Sequence, residues 1–221
     1  MQSQTADTLA MQRTVVIAYH VCAVPGAWKP IVDEQVRALS DSGLLCAKDL
    51  RAIYVTIVGK EAMDAEEYLT RHLPRLSVLI VNPEDTTYER AMLERLHLVV
   101  DHNDDILYMH TKGVTKPTNT HVRDWRQLLQ HFLITRYEEC RQKLASGSDV
   151  VGVNYQDRPE PHFSGNFWWT RGSYFIGLPI PIGKEYLDPE MWLFKNGPSK
   201  TVLHNSNRNH YVMPYPRSRY A

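Results

Sequence analysis

The chain has 221 residues, 43% of them hydrophobic and 23% charged, with 25 Lys and Arg against 25 Asp and Glu. That is room for one good-sized domain with its own core, and the balanced charge gives no reason to expect nucleic acid or a membrane surface as partner. No apolar run reaches the roughly 18 residues that suggest a membrane span.

Residues 1–13 are polar and lack the apolar core of a secretory leader, so they read as a flexible tail ahead of a domain over 14–221. The run 14–20 is a buried first strand. Trp28, Ile31, Val32, Gln35, Val36 and Leu39 follow helical spacing, and Ser42-Gly43 closes that helix. A second strand is expected over 52–58, a helix over 61–72 and a third strand over 76–81, broken by Asn82-Pro83. Thr86 or Thr87 can cap a long helix reaching about Val100, followed by a fourth strand over 106–109. A single helix is expected over 121–144 and a fifth strand over 148–153, after which the pattern gives way to Pro, Gly, Asn and aromatic residues. Alternating strands and helices predict a mostly parallel central sheet flanked by helices. Ligands of such sheets sit beyond the carboxyl ends of the strands, which directs attention to the loops after Tyr19, Gly59, Asn82, Met109 and Val153.

Cys22, Cys46 and Cys140 show no CxxC spacing, which suits a reducing, cytoplasmic setting without a disulfide framework. No GxGxxG follows the first strand, and neither GxxxxGK[ST] nor GxSxG occurs. The site must therefore be sought elsewhere.

His110-Thr111-Lys112-Gly113 directly follows the fourth strand. An imidazole, a hydroxyl, an ammonium and free backbone N–H groups at one strand end can hold a phosphate; otherwise the loop is simply solvated. Asp104-Asp105, before the same strand, are two adjacent carboxylates that could bind a divalent metal, but they lie at the wrong end for the site and read rather as a solvated turn ending the preceding helix. In the stretch 162–169, Trp168 and Trp169 follow the turn-forming Ser164-Gly165-Asn166. Their opposite orientations predict that one faces the core while the other lines a sugar pocket or is itself buried. Glu190, behind Asp188-Pro189, is either a first-turn carboxylate favoured by the helix dipole or a catalytic base. His204 and His210 bracket a polar loop whose histidines can reach a diphosphate or a metal.

Several stretches, taken in order, resemble a family of small glycosyltransferases with the GT-A fold. They are Tyr19-His20, 28–31, Glu34-Gln35, 42–44, 107–113, Trp125-Arg126, 162–169, 190–192, 204–207 and His210-Tyr211. The nearest likeness is to glycosyltransferase domains of chlorella and other giant viruses and to bacterial capsule- and rhamnan-synthesis proteins. The resemblance implies an α/β, GT-A-like, Rossmann-related single domain that moves a sugar from a nucleotide-sugar donor, a UDP-sugar, to a glycan acceptor. It implies that Tyr19 and His20 hold the nucleotide and that Ser164, Gly165, Asn166, Trp168, Trp169 and Glu190 lie where donor sugar and acceptor meet; with the residue readings above, nucleotide-sugar binding is expected of His110, Thr111, Lys112, Gly113, His204 and His210 as well, and catalysis of Glu190. The GT-A pattern also implies a divalent metal, Mn or Mg, held by an Asp-x-Asp after the fourth strand. Here His110-Thr111-Lys112 takes that place, which leaves metal dependence open and keeps a catalytically inactive nucleotide-sugar- or glycan-binding module as the alternative.

Overall fold

The β-branched runs pair side by side in the computed structural model, which describes residues 13–82, 84 and 89–221. β1 (Thr14–Cys22) lies between β2 (Leu50–Val58) and β4 (Asp104–His110), parallel to both, and β3 (Leu76–Asn82) extends the sheet beyond β2, again in parallel. The sheet continues through three short strands, β5 (Val150–Gly152), β8 (Trp168–Arg171) and β9 (Lys200–Val202), giving the order β3-β2-β1-β4-β8-β5-β9. β8 runs antiparallel to β4 and β5, whereas β9 is parallel to β5. β6 (Tyr155–Gln156) and β7 (His162–Phe163) form a separate antiparallel pair.

The helices are α1 (Trp28–Asp41), α2 (Ala62–His72), α3 (Arg90–Leu96), α4 (Thr120–Gln130), α5 (Tyr137–Ala145), α6 (Gly172–Phe175) and α7 (Asp188–Trp192). They cover both faces of the sheet. Val15, Ile17, Tyr19 and Val21 of β1 share one core with α1, α2, α4 and α5; Val16 and Ala18 share the other with α3, α6 and α7. This is the α/β architecture, a mostly parallel sheet between helices, that the alternating sequence predicts. No helix among the described residues is long and apolar enough to cross a membrane.

Four local expectations are corrected. The expected helix over 121–144 is α4 and α5 joined by a π-helical turn, His131–Thr135. The turn frees the Leu133 carbonyl to accept the Trp169 indole N–H at 2.7 Å. α3 ends at Leu96, tightened by i→i−3 bonds from Leu98 and Val99, rather than reaching Val100; its expected cap at Thr86 or Thr87, and Pro83, lie outside the described residues. Asp104 and Asp105 belong to β4 and are buried, because Thr14 and Arg51 bond Asp104 while Arg13 and Arg141 meet Asp105. Lastly, Trp168 and Trp169 do face opposite sides, but each is at most 1% exposed and belongs to a core. Trp168 stacks on Tyr108 across the β4–β8 register, so the pocket role does not fall to this pair.

Trp169 ties β8 to the π-helical turn and fills the larger core. Trp169→Ala should therefore cost about 3–5 kcal/mol of stability, read as a lowered denaturant midpoint. An unchanged midpoint would remove the indole from the core packing.

Candidate functional site

Three strand ends define the floor of the site. Thr56, His20 and His110 stand side by side across β2, β1 and β4, with His20 Nδ1 2.8 Å from the Thr56 hydroxyl. Beyond His110 the chain turns sharply, and nearly every backbone group of the turn is held. Thr111 donates its N–H to the His20 carbonyl at 3.1 Å, and its hydroxyl accepts from Cys22 N–H at 2.9 Å. Gln35 of α1 donates to the His110 carbonyl at 2.7 Å and accepts the Tyr19 hydroxyl at 2.5 Å. Arg126 of α4 donates to the Lys112 carbonyl at 3.0 Å and grips Glu34 of α1 with two bonds of 2.9 Å. Gly113 must be glycine: its φ is +85° and an added Cβ would lie 2.6 Å from Val122 Cγ1.

Over this floor opens a pocket of about 320 Å³, lined in part by His20, Glu89, His110, Lys112, Tyr186 and Tyr211. The Lys112 ammonium lies 4.0 Å from the Trp125 ring centre. Burial pushes its pKa down; Glu190 and Glu89 counter this and Lys116 adds to it, leaving it below the ordinary lysine value. Glu89, just before α3, places Oε1 2.5 Å from His110 Nδ1 and is also met by the Asn166 amide. Burial pushes its carboxyl up, but the charges of His110, His20 and Lys112 outweigh it and hold the pKa at about 2. Glu190, in the first turn of α7, accepts the Gly165 N–H at 2.7 Å. His210 stacks on Trp125 at 5.2 Å, with Nε2 2.7 Å from the Ser206 hydroxyl and 3.2 Å from the Asn154 amide.

His20, His110, Thr111, Lys112 and Gly113 thus meet at one pocket. Others do not. Tyr19 is fully buried and turned to Gln35, so its ring belongs to the core beneath the site. His204 stacks on Phe132 and meets Tyr215, outside the pocket lining. His210 is a buried support under the indole that carries Lys112. Gly165 and Asn166 touch the carboxylates Glu190 and Glu89 rather than line the pocket, and Ser164 and Glu190 itself are likewise absent from the lining; Glu190 reaches the site through its charge on Lys112. Glu89 was not singled out from the sequence; its one signal is its place in the loop after the third strand. Among the described residues no three His, Cys, Asp or Glu side chains converge to hold a metal. Glu89 is already engaged by His110 and Asn166, and Lys112 stands beside it, so this donor set does not fit a divalent cation.

A family model described as "Domain of unknown function (DUF8361)" matches residues 23–192. No curated protein matches the chain. Among solved structures, the chain is similar to 4-diphosphocytidyl-2C-methyl-D-erythritol synthase from Anaerococcus prevotii DSM 20548, at 9% identity and TM-score 0.47 over 94% of each chain. It is also similar to Rv0371c from Mycobacterium tuberculosis H37Rv, at 12% identity and TM-score 0.42, covering 88% of this chain and 89% of that one. A third is S. aureus TarS 1-349, at 12% identity and TM-score 0.43, covering 91% of this chain and 59% of that one. At such scores these likenesses assign no activity to the chain.

Burial, with the charge of Lys112, holds His210 well below the ordinary 6.5, at about 4. Its folded form is therefore neutral where the unfolded chain takes up a proton, so stability is lost as pH falls from 6.5 towards 4. The loss should be on the order of 2 kcal/mol. His204 and His131, also lowered by burial, act in the same sense. Thermal melts between pH 7 and 4.5 should show His210→Gln with a shallower decline than the parent chain; parallel declines would refute the assignment.

Proposed function

The chain belongs to the DUF8361 family, and we propose that it is a GT-A-type glycosyltransferase that moves a sugar from a nucleotide-sugar donor, a UDP-sugar, to a glycan hydroxyl. The observation that carries this reading is the position of Lys112: a half-buried ammonium on a Gly-closed turn, at the carboxyl ends of the central parallel strands, inside a pocket. Open α/β sheets bind nucleotides at that end. A diphosphate leaving group carries away negative charge as the bond to the sugar breaks. A fixed ammonium and an adjacent hydroxyl are suited to receive it.

In this reading Lys112 neutralises the diphosphate where an Asp-x-Asp site would use a metal ion, and transfer needs no divalent cation. Glu190 projects negative charge towards Lys112 while fixing the Gly165 turn. Its role is to stabilise positive charge developing on the donor sugar. Tyr186 and Tyr211, 69% and 44% exposed, stand at the mouth with flat aromatic faces of the kind on which sugar rings lie.

Calorimetry with UDP tests the donor site. Lys112→Ala should weaken binding by about 1.5–3 kcal/mol, the scale of a hydrogen bond to a charged group; unchanged affinity would take Lys112 out of the site. Binding and UDP release should persist in excess chelator, and loss of both would restore a metal requirement. Glu190→Gln should lower turnover by about 10²–10³-fold with UDP affinity nearly unchanged. Near-parental turnover would make Glu190 a helix residue alone. UDP binding without turnover of any UDP-sugar would favour the inactive binding module.

A further inference from the structure

The approach of Glu89 to His110 carries one step further, resting on the glycosyltransferase reading above. We propose that His110 is the general base of the transfer, with Glu89 as the positioning residue that sets its tautomer, in a single displacement that inverts the anomeric centre.

The geometry is that of a carboxylate–imidazole pair. Glu89 Oε1 lies 2.5 Å from His110 Nδ1, which leaves Nε2 as the nitrogen for the pocket that His110 lines. The carboxylate is held from its other side by the Asn166 amide. Asn166 is in turn fixed by a left-handed backbone, with φ of 49°, and by the Trp168 indole N–H on its side-chain carbonyl at 2.8 Å. The imidazole is boxed edge-on against Phe167 at 5.1 Å and Tyr108 at 6.3 Å. The Nδ1–Oε1 approach is oblique and makes no aligned hydrogen bond. Catalytic contacts of this kind commonly tighten only when substrate binds. Glu89, held near a pKa of about 2, stays ionised throughout the working range and favours the proton on Nδ1. The other histidines near the pocket are differently placed. His20 directs Nδ1 to Thr56, and His210 is buried against Trp125 and Ser206.

The step balances as follows. The acceptor oxygen forms a bond to the anomeric carbon as the bond from that carbon to the diphosphate oxygen breaks. The electron pair of the broken bond leaves on the diphosphate, beside Lys112. The acceptor proton passes to His110 Nε2, and the imidazolium, steadied by the Glu89 carboxylate, later returns it to solvent.

The test uses the full chain and reads UDP binding by calorimetry, and UDP release from UDP-glucose, UDP-galactose and UDP-N-acetylglucosamine with water as acceptor. His110→Asn should lower kcat by about 10²–10⁴-fold, and Glu89→Gln by about 10²-fold, each with the donor KM and UDP affinity nearly unchanged. The double variant should be no slower than His110→Asn alone, because the two act as a unit. Proton NMR of the chain saturated with UDP should show a low-field His110 Nδ1–H signal that disappears in Glu89→Gln, a readout that survives even where turnover is slow. The released sugar should first appear with inverted configuration. Parental turnover in His110→Asn, a matching loss of UDP affinity, a proton resident on Nε2, or retained configuration would each overturn the assignment. Failure of UDP to bind the parent chain would instead sink the donor reading itself.

Discussion

The site depends on one forked interaction. Arg126 is 6% exposed, and its guanidinium divides its donors between the Glu34 carboxylate and the Lys112 carbonyl. A buried guanidinium without partners is costly, so the fork ties α1 to α4 and to the turn after β4. Gln130 completes Glu34 at 2.5 Å, and Gln35, one residue along α1, takes the His110 carbonyl. Burial pushes the Glu34 carboxyl up, but Arg126 and Gln130 outweigh it and keep it below the ordinary value. The turn after β4 is thus fixed by polar side chains from two helices, and Lys112 is aimed by atoms that never meet a ligand.

That rigidity explains how like and unlike charges coexist in a small pocket. Lys112 and Lys116 crowd one side, with Trp125 and Tyr211 accepting their ammonium groups on aromatic faces at 4.0 and 4.4 Å. Glu89 and Glu190 answer from the other face of the sheet and from the Gly165 turn. Each carboxylate is fastened by a backbone N–H or a side-chain amide, so neither collapses onto the lysine in a closed ion pair. A binding anion then meets charge already in place, and little reorganisation is needed.

How much of this was legible in the sequence follows from the length of each signal. The runs around Val16, Val55, Leu79 and Leu107 are long enough to show strand character, and the parallel core was read from them. β5 falls within the strand expected over 148–153, but β6 through β9 are two to four residues each, shorter than any periodicity, so the rest of the chain reads as loop. Trp168 and Trp169 were correctly assigned to opposite faces, but burial by α6, α7 and the π-helical turn is a tertiary fact with no local trace. Asp104 and Asp105 looked solvated because their cations, Arg51, Arg13 and Arg141, are distant in sequence. Glu34, Gln35 and Arg126 lay within stretches that carried the resemblance, yet nothing in their spacing disclosed that they hold a loop.

The histidines make the same point about chemistry. Residue type placed His20, His110, His204 and His210 on equal terms, since each is an imidazole beside polar neighbours. Their environments separate them. His210 is buried against an indole and kept neutral, which suits a support. His204 is spent on Phe132 and Tyr215. His110 has the Glu89 carboxylate at ion-pair distance, on a residue that no motif pairs with it. Because an imidazole becomes a useful base when one nitrogen is oriented by a fixed anion and the other faces the reaction, the discriminating information lies in the contact between β4 and the start of α3.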